Sequence, residues 1–191
     1  REEKEKKASI SAQNQEKIDE LCVKADKVDD VPWGSWEPTE RCVLTYVMDS
    51  EKALLILKKR GMGEGYFNAP GGHIELEETS VEAAVRETKE ETGLTVSGLK
   101  EMGVLRFQFK NGIRMIGYVF TTDRWEGELI DECDETKPFW VKKSDIDYSR
   151  MWEDDRLWLP MLMEGKKFEG WFIFDDRKMV DAKVEETVEE E

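Results

Sequence analysis

Histidine is almost absent from this chain: His73 stands alone, so a histidine-centred mechanism has no second imidazole to work with. Cysteine is scarce as well. Cys22, Cys42 and Cys133 are odd in number, widely spaced and form no CxxC, which argues against a disulfide framework or a zinc site and fits a reducing, cytoplasmic setting. No apolar run approaches the roughly 20 residues that cross a bilayer, and no signal peptide is visible. Basic residues are outnumbered: 29 Lys and Arg against 44 Asp and Glu leave a net charge of −15. A protein that grips a nucleic acid polymer would normally carry the opposite sign, so neither a nucleic acid polymer nor a membrane is expected as a partner.

What is present is charge, at 38% of residues, beside a modest 39% of hydrophobic residues. The 191 residues suit one compact domain. Residues 1–40 read as an appendage, with a helix over 10–28 followed by a Trp- and Pro-containing loop over 31–38, whose Trp33 and Trp36 are placed to dock on the main domain. The compact domain is expected over 41–180, with an acidic, solvated tail over 181–191; residues 1–7 read as a second solvated tail. Strands are expected over 42–48, 53–57, 104–109, 114–120, 137–141 and 168–174, the last as the final strand. Asn111-Gly112 is a strong hairpin signal. Helices are expected over 80–92 and 154–163, with Pro160 awkward inside the second. Mixed strands, hairpins and helices make an α+β fold, layered as α/β/α, the expected class.

The helix over 80–92 carries the chemistry. Thr79-Ser80-Val81-Glu82 has the form of a capping box, and Gly93 sits where a cap glycine belongs. Val81, Ala84, Val85 and Thr88 fall on one face. Glu87, Glu90 and Glu91, at i, i+3 and i+4, share a neighbouring stripe where like charges repel, so something positive should offset them. Clustered hard oxygen ligands suit Mg²⁺ or Mn²⁺. Alone, E-x-x-E-E is as compatible with a solvated acidic face.

The surrounding letters change that balance. Gly72, Glu78, Arg86-Glu87, Glu90-Glu91, Gly93 and Leu94 stand at the spacing of the Nudix box; chance agreement is on the order of 10⁻⁷ per start position from residue usage. The segment resembles the Nudix hydrolases, and only Thr88 departs from it, where the family usually has an aliphatic residue. The resemblance implies an α/β/α sandwich with a mixed sheet and a metal-dependent pyrophosphohydrolase. It implies that Glu87, Glu90, Glu91 and the Gly72 carbonyl bind Mg²⁺ (Mn²⁺ as an alternative). Glu78 and Arg86 would then form a structural ion pair.

Further letters narrow the likeness. Lys58-Lys59-Arg60-Gly61, Asn68, the run 133–140, Met151-Trp152-Glu153-Asp154-Asp155, Trp158-Leu159-Pro160 and the run 166–172 are similar to the MutT-homologue oxidised-purine nucleoside triphosphatases, over about residues 42–174. That likeness implies base recognition by Asn68, Trp152, Asp154 and Asp155, a phosphate contact from Lys58, a pocket lined by Phe107, Phe109 and Met115 and backed by Phe67, and a supporting catalytic role for Glu135. Two adjacent carboxyls in an apolar pocket should leave one protonated, able to donate where a carboxylate only accepts. The plainer readings are helix N-capping for Asp154 and Asp155, and ordinary core for the aromatic and methionine positions. Val43, Met62, Phe67 and His73 replace the Thr, Phe, Trp and Lys usual in those relatives.

The expected activity is hydrolysis of oxidised purine nucleoside triphosphates, such as 8-oxo-dGTP or 2-oxo-dATP, to monophosphate and pyrophosphate. The alternatives are a Nudix hydrolase acting on an ordinary triphosphate, a dinucleoside polyphosphate, a nucleotide sugar or ADP-ribose, and a nucleotide-sensing module without turnover. The expected partner is the nucleotide, with a monomer as the default and the appendage as a candidate dimerisation element.

Overall fold

The computed structural model describes residues 2–189. In chain order it holds α1 (Glu2–Lys24), β1 (Glu40–Val47), β2 (Lys52–Lys58), β3 (Phe67–Asn68), β4 (Gly71–His73), α2 (Ser80–Thr92), β5 (Thr95–Ser97), β6 (Lys100–Phe109), β7 (Arg114–Thr122), β8 (Arg124–Glu126), β9 (Thr136–Lys142), α3 (Asp155–Met163), β10 (Phe168–Asp175) and β11 (Lys178–Glu186). Six strands form one mixed sheet in the order β11-β10-β6-β7-β1-β4, with β1 parallel to β7 and β10 parallel to β6. A smaller sheet runs β3-β2-β9, and β5 pairs with β8. The fold is α+β.

Strand alternation decides what each face buries. Tyr46, Leu105, Val119, Phe168 and Phe172 point to one side, where Trp158, Leu159 and Leu162 of α3 close the core. Val43 and Phe120 point to the other, against Ala83 and Ala84 of α2. That second face is wider than one helix. The half left by α2 is covered by the N-terminal segment: Cys22, Ala25, Val28, Val31 and Trp36 pack on Ile173, with Ile116 and Trp171 at the margin. Trp36 Nε1 donates to the buried Gln108 Oε1 at 2.9 Å, and Val28 N–H donates to Asp181 Oδ2 at 2.7 Å.

Three expectations change. The helix expected over 10–28 runs Glu2–Lys24 and so takes up the supposed tail at residues 2–7. Much of the acidic tail expected over 181–191 is strand: β11 reaches Glu186 and pairs antiparallel with β10. Met179, Ala182 and Val184 turn inward while Lys183 and Glu185 stay exposed, a charged edge of the kind that resists further strand addition. Val81, placed on the packed face of α2, is instead 45% exposed; Ala84, Thr88 and Thr92 hold that face with Ala83. Pro160 sits inside α3 without ending it.

Candidate active site

Helix α2 begins on a side-chain cap and ends on a glycine. Thr79 Oγ1 accepts the Glu82 N–H at 3.1 Å, and Gly93 closes the helix at φ +83°, where a Cβ would also meet Glu128 O at 2.9 Å. Thr88, polar on a buried face, turns its hydroxyl back to Ala84 O at 2.7 Å, which satisfies the group locally.

Arg86 organises the acidic groups around it. Its guanidinium donates to both oxygens of Glu78, at 2.7 and 2.9 Å, and to His73 O at 3.0 Å. The same group reaches Glu87 at 2.8 Å and Glu90 at 3.4 Å, so it is the positive charge that the Glu stripe calls for. The bond from Arg86 holds the Glu78 carboxyl down at about 2. Glu91 lies apart from Arg86. It is 4% exposed and accepts the Gly71 N–H at 3.1 Å; burial pushes its carboxyl up to about 8, and the charge of Glu87 adds to the rise. Burial raises the Glu87 carboxyl as well. Gly72 lies directly beneath Glu87: a Cβ there would stand 2.5 Å from the Glu87 carboxyl, so only glycine lets backbone and carboxylate approach this closely. These donors are all oxygen, and two of the carboxyls resist ionising alone, which fits a hard divalent cation. Glu87 and Glu90 lean on Arg86 while Glu91 turns to Gly71, so the three carboxylates do not gather within 4.8 Å of one another.

Beside Glu91 a pocket opens on the α3 side of the sheet, enclosing about 980 Å³ with its open mouth included. Lys58, Asn68, Phe107, Met115, Trp152 and the Asp154–Asp155 pair all line it. Trp152 is held edge-on between Tyr66 and Phe174, with ring centroids 5.5 and 5.6 Å away. Asp154 and Asp155 are 2% and 3% exposed. Asp154 does not cap α3 with its side chain; its Oδ2 accepts the Trp158 indole N–H at 2.8 Å. Asp155 Oδ2 has no partner. Burial raises both carboxyls, and the neighbouring Asp154 charge raises Asp155 further.

The family comparison falls on this same stretch: the NUDIX domain matches over residues 38–162. The chain belongs to the NUDIX family. This Nudix protein is 38% identical over 138 residues to the oxidized purine nucleoside triphosphate hydrolase of Danio rerio, and 35% identical to that of Mus musculus. Each match covers 72% of this chain and 88% of the relative. Among solved structures it resembles the MutT protein of Bacillus halodurans, with TM-score 0.69 and 26% identity over 76% of this chain and 97% of that one. It is therefore a hydrolase of a family that generally uses divalent metal ions.

One expected site residue of the Nudix domain stands elsewhere, and another is engaged in an ion pair. Phe67 does not line the pocket; it packs on Phe139 with centroids 4.8 Å apart, under the Arg150 guanidinium at 4.3 Å. The reason is register: Phe67 and Asn68 are consecutive on β3, so when Asn68 faces the pocket Phe67 must face away. Glu135 lies in the loop before β9, paired with Arg60 at 3.0 Å, although its charge still reaches Glu87 and Glu91.

Sequence reading missed Cys42, Gly63, Tyr66 and Phe174 as pocket residues. Phe174 shares the parity of Phe172 on β10, and Cys42 that of Leu44 on β1, so strand alternation held that signal. Gly63 and Tyr66 carried none, since they sit in a loop. Gly63 adopts φ +80°, and a Cβ there would be 2.9 Å from Trp152 Nε1, so this glycine sets where the indole lies.

Proposed function

We propose that this Nudix hydrolase cleaves oxidised purine nucleoside triphosphates, such as 8-oxo-dGTP or 2-oxo-dATP, to the monophosphate and pyrophosphate, using Mg²⁺. One observation carries the base assignment: the adjacent buried carboxyls of Asp154 and Asp155 lie in an apolar pocket that Glu91 also lines. A protonated Asp155 donates while Asp154 accepts, and two such groups side by side read an altered purine edge in a way that one carboxylate cannot. The names of the Danio rerio and Mus musculus relatives point to the same substrates.

The roles follow from position. Trp152 offers a stacking surface for the base, Asn68 an amide contact, and Phe107 with Met115 the apolar wall. Lys58, at the pocket end beside Glu91, meets the phosphates. Glu87, Glu90, Glu91 and the Gly72 carbonyl would hold the metal, which supplies an activated water and neutralises phosphate charge. Glu135 supports the cluster through its field, and Arg86 with Glu78 fixes the loop that follows Gly72.

The test is a product analysis with Mg²⁺ on 8-oxo-dGTP, 2-oxo-dATP, dGTP, ADP-ribose and a diadenosine polyphosphate. The expected result is the highest kcat/KM on an oxidised purine triphosphate, with pyrophosphate released. Highest kcat/KM on ADP-ribose or the dinucleotide would overturn the assignment, and tight binding without turnover would make the protein a sensor.

A further inference from the structure

Outside the carboxylate cluster, one group of side chains gathers the donors of a different metal. Glu40, Cys42 and His73 offer a carboxylate oxygen, a thiol sulfur and an imidazole nitrogen, all within 4.8 Å of one another. His73 Nε2 and Glu40 Oε2 are already 3.0 Å apart. The placement is a consequence of the sheet. Cys42 on β1 stands directly opposite His73 on β4, and Glu40 lies two residues earlier on the same face of β1. Backbone pairing fixes all three: β1 is held between β4 and β7, and Arg86 Nη2 grips His73 O at 3.0 Å.

We propose that Glu40, Cys42 and His73 form a zinc-type cation site at the lip of the nucleotide pocket, through which such an ion slows turnover. A tetrahedral zinc-class ion binds nitrogen and oxygen at about 2.0–2.2 Å and sulfur at about 2.3 Å, which puts its ligand atoms roughly 3.3–3.7 Å from each other. Separations that run from 3.0 Å to at most 4.8 Å bracket that range. The His73 side chain is 67% exposed and that of Glu40 32% exposed, so both can adjust to close it. Room exists beside the sulfur: Gly117 faces Cys42 on β7, and nothing lies within 4 Å of where its Cβ would be.

Mixed N, O and S donors prefer a borderline ion to Mg²⁺, whereas the all-oxygen Glu87, Glu90 and Glu91 set has the opposite preference. Binding would replace the Cys42 S–H bond by a sulfur–metal bond and release that proton to solvent. Three protein ligands leave the fourth position open. Cys42 is itself part of the pocket wall, so an ion held there stands against a bound nucleotide and obstructs it.

The full chain is titrated with Co²⁺, whose bond to a thiolate gives a charge-transfer band in the near ultraviolet, and separately assayed for Mg²⁺-driven turnover with added Zn²⁺. The wild type is expected to show the band. Cys42→Ser and His73→Ala should lose or strongly weaken it, and Glu91→Gln should keep it. Zn²⁺ should halve wild-type turnover at a concentration about tenfold or more below that needed for His73→Ala, since losing even a group that only orients a metal ligand costs that much. No band in the wild type, a band that survives Cys42→Ser, or one that vanishes with Glu91→Gln overturns the site. A band with the expected dependence but equal Zn²⁺ sensitivity in the wild type and His73→Ala overturns its effect on turnover. Circular dichroism checks that Cys42→Ser is folded; exposed His73 gives a second variant that does not depend on core packing.

Discussion

Asp154 and Asp155 are adjacent, equally buried and unequally served. Asp154 has the Trp158 N–H, and Asp155 has no donor for Oδ2. A carboxyl whose folded pKa is raised contributes stability that is complete below the ordinary Asp range and is lost as pH rises through the folded value. Asp155→Asn removes that titration, so its Tm should match or exceed the wild type at alkaline pH and approach it in acid, as measured by calorimetry across pH. The kcat/KM for an oxidised purine triphosphate should fall with rising pH in the wild type and flatten in the variant. An unchanged pH profile would remove Asp155 from base recognition. Glu91 is the other residue whose burial opposes its charge. Losing a group that merely orients a metal ligand costs 10–100-fold, so losing the ligand itself in Glu91→Gln should lower kcat by about a hundredfold or more. Without added metal the Tm of this variant should not fall at pH 7, because a buried carboxyl raised to about 8 is replaced by a neutral group of the same shape. Mg²⁺ should raise the wild-type Tm more than that of the variant. Near-normal turnover would displace Glu91 from the metal set.

At the scale of elements, α2 and β4 act as one unit. Gly72 is close to Glu87 because β4 pairs with β1, placing Gly72 opposite Val43, and Val43 lies on the face that α2 packs against. Gly72→Ala puts a methyl into the Glu87 carboxyl, and should cost activity and metal affinity far more than fold, read by kcat against Mg²⁺ concentration. Gly93→Ala has the reverse profile. Its φ of +83° and the nearby Glu128 O and Ile130 make it strained, with an expected loss of about 1–3 kcal/mol in urea unfolding. The capping letters around α2, the Asn-Gly hairpin and the apolar runs of β1, β2 and β10 were legible because each is a local signal. The two- and three-residue strands β3, β4, β5 and β8 were not, since a segment that short has no period and exists only because a neighbour pairs with it. Strand β11 was hidden by its charge: an edge strand buries one face lightly, and its sequence resembles a solvated tail.

For the whole molecule, the N-terminal segment completes the sheet's second face. Removal of residues 1–37 would expose Ile116, Trp171 and Ile173 and leave Gln108 Oε1 without its donor. Each large apolar side chain returned to water costs about 1.5–3 kcal/mol, and 1 kcal/mol shifts Tm by roughly 2–4 °C in a chain of this size. The truncated chain should therefore melt at least about 10 °C lower or aggregate. Equal melting of both forms would make the segment an independent appendage. Trp36→Phe isolates the polar part of the same contact. It leaves the Gln108 oxygen without its donor and should cost about 1–3 kcal/mol, measured by urea unfolding. Among the described residues no helix is long and apolar enough to cross a membrane.

By itself the sequence determined the reaction class. The Nudix letters from Gly72 to Leu94 lie within one short stretch around a single helix, where spacing fixes which of the helix's side chains are neighbours. It also placed Asp154, Asp155 and Trp152 together, for the same local reason. Only the tertiary structure decided that Asp154 accepts from Trp158 while Asp155 Oδ2 has no partner, that Phe67 faces away from the pocket, and that Arg86 reaches Glu87 and Glu90 as well as Glu78. It alone brought Glu40, Cys42 and His73 together. Two of these lie 31 positions apart in a chain whose lone histidine and scattered cysteines suggested no such site, because strand register, unlike helical spacing, joins residues that the sequence does not list as neighbours.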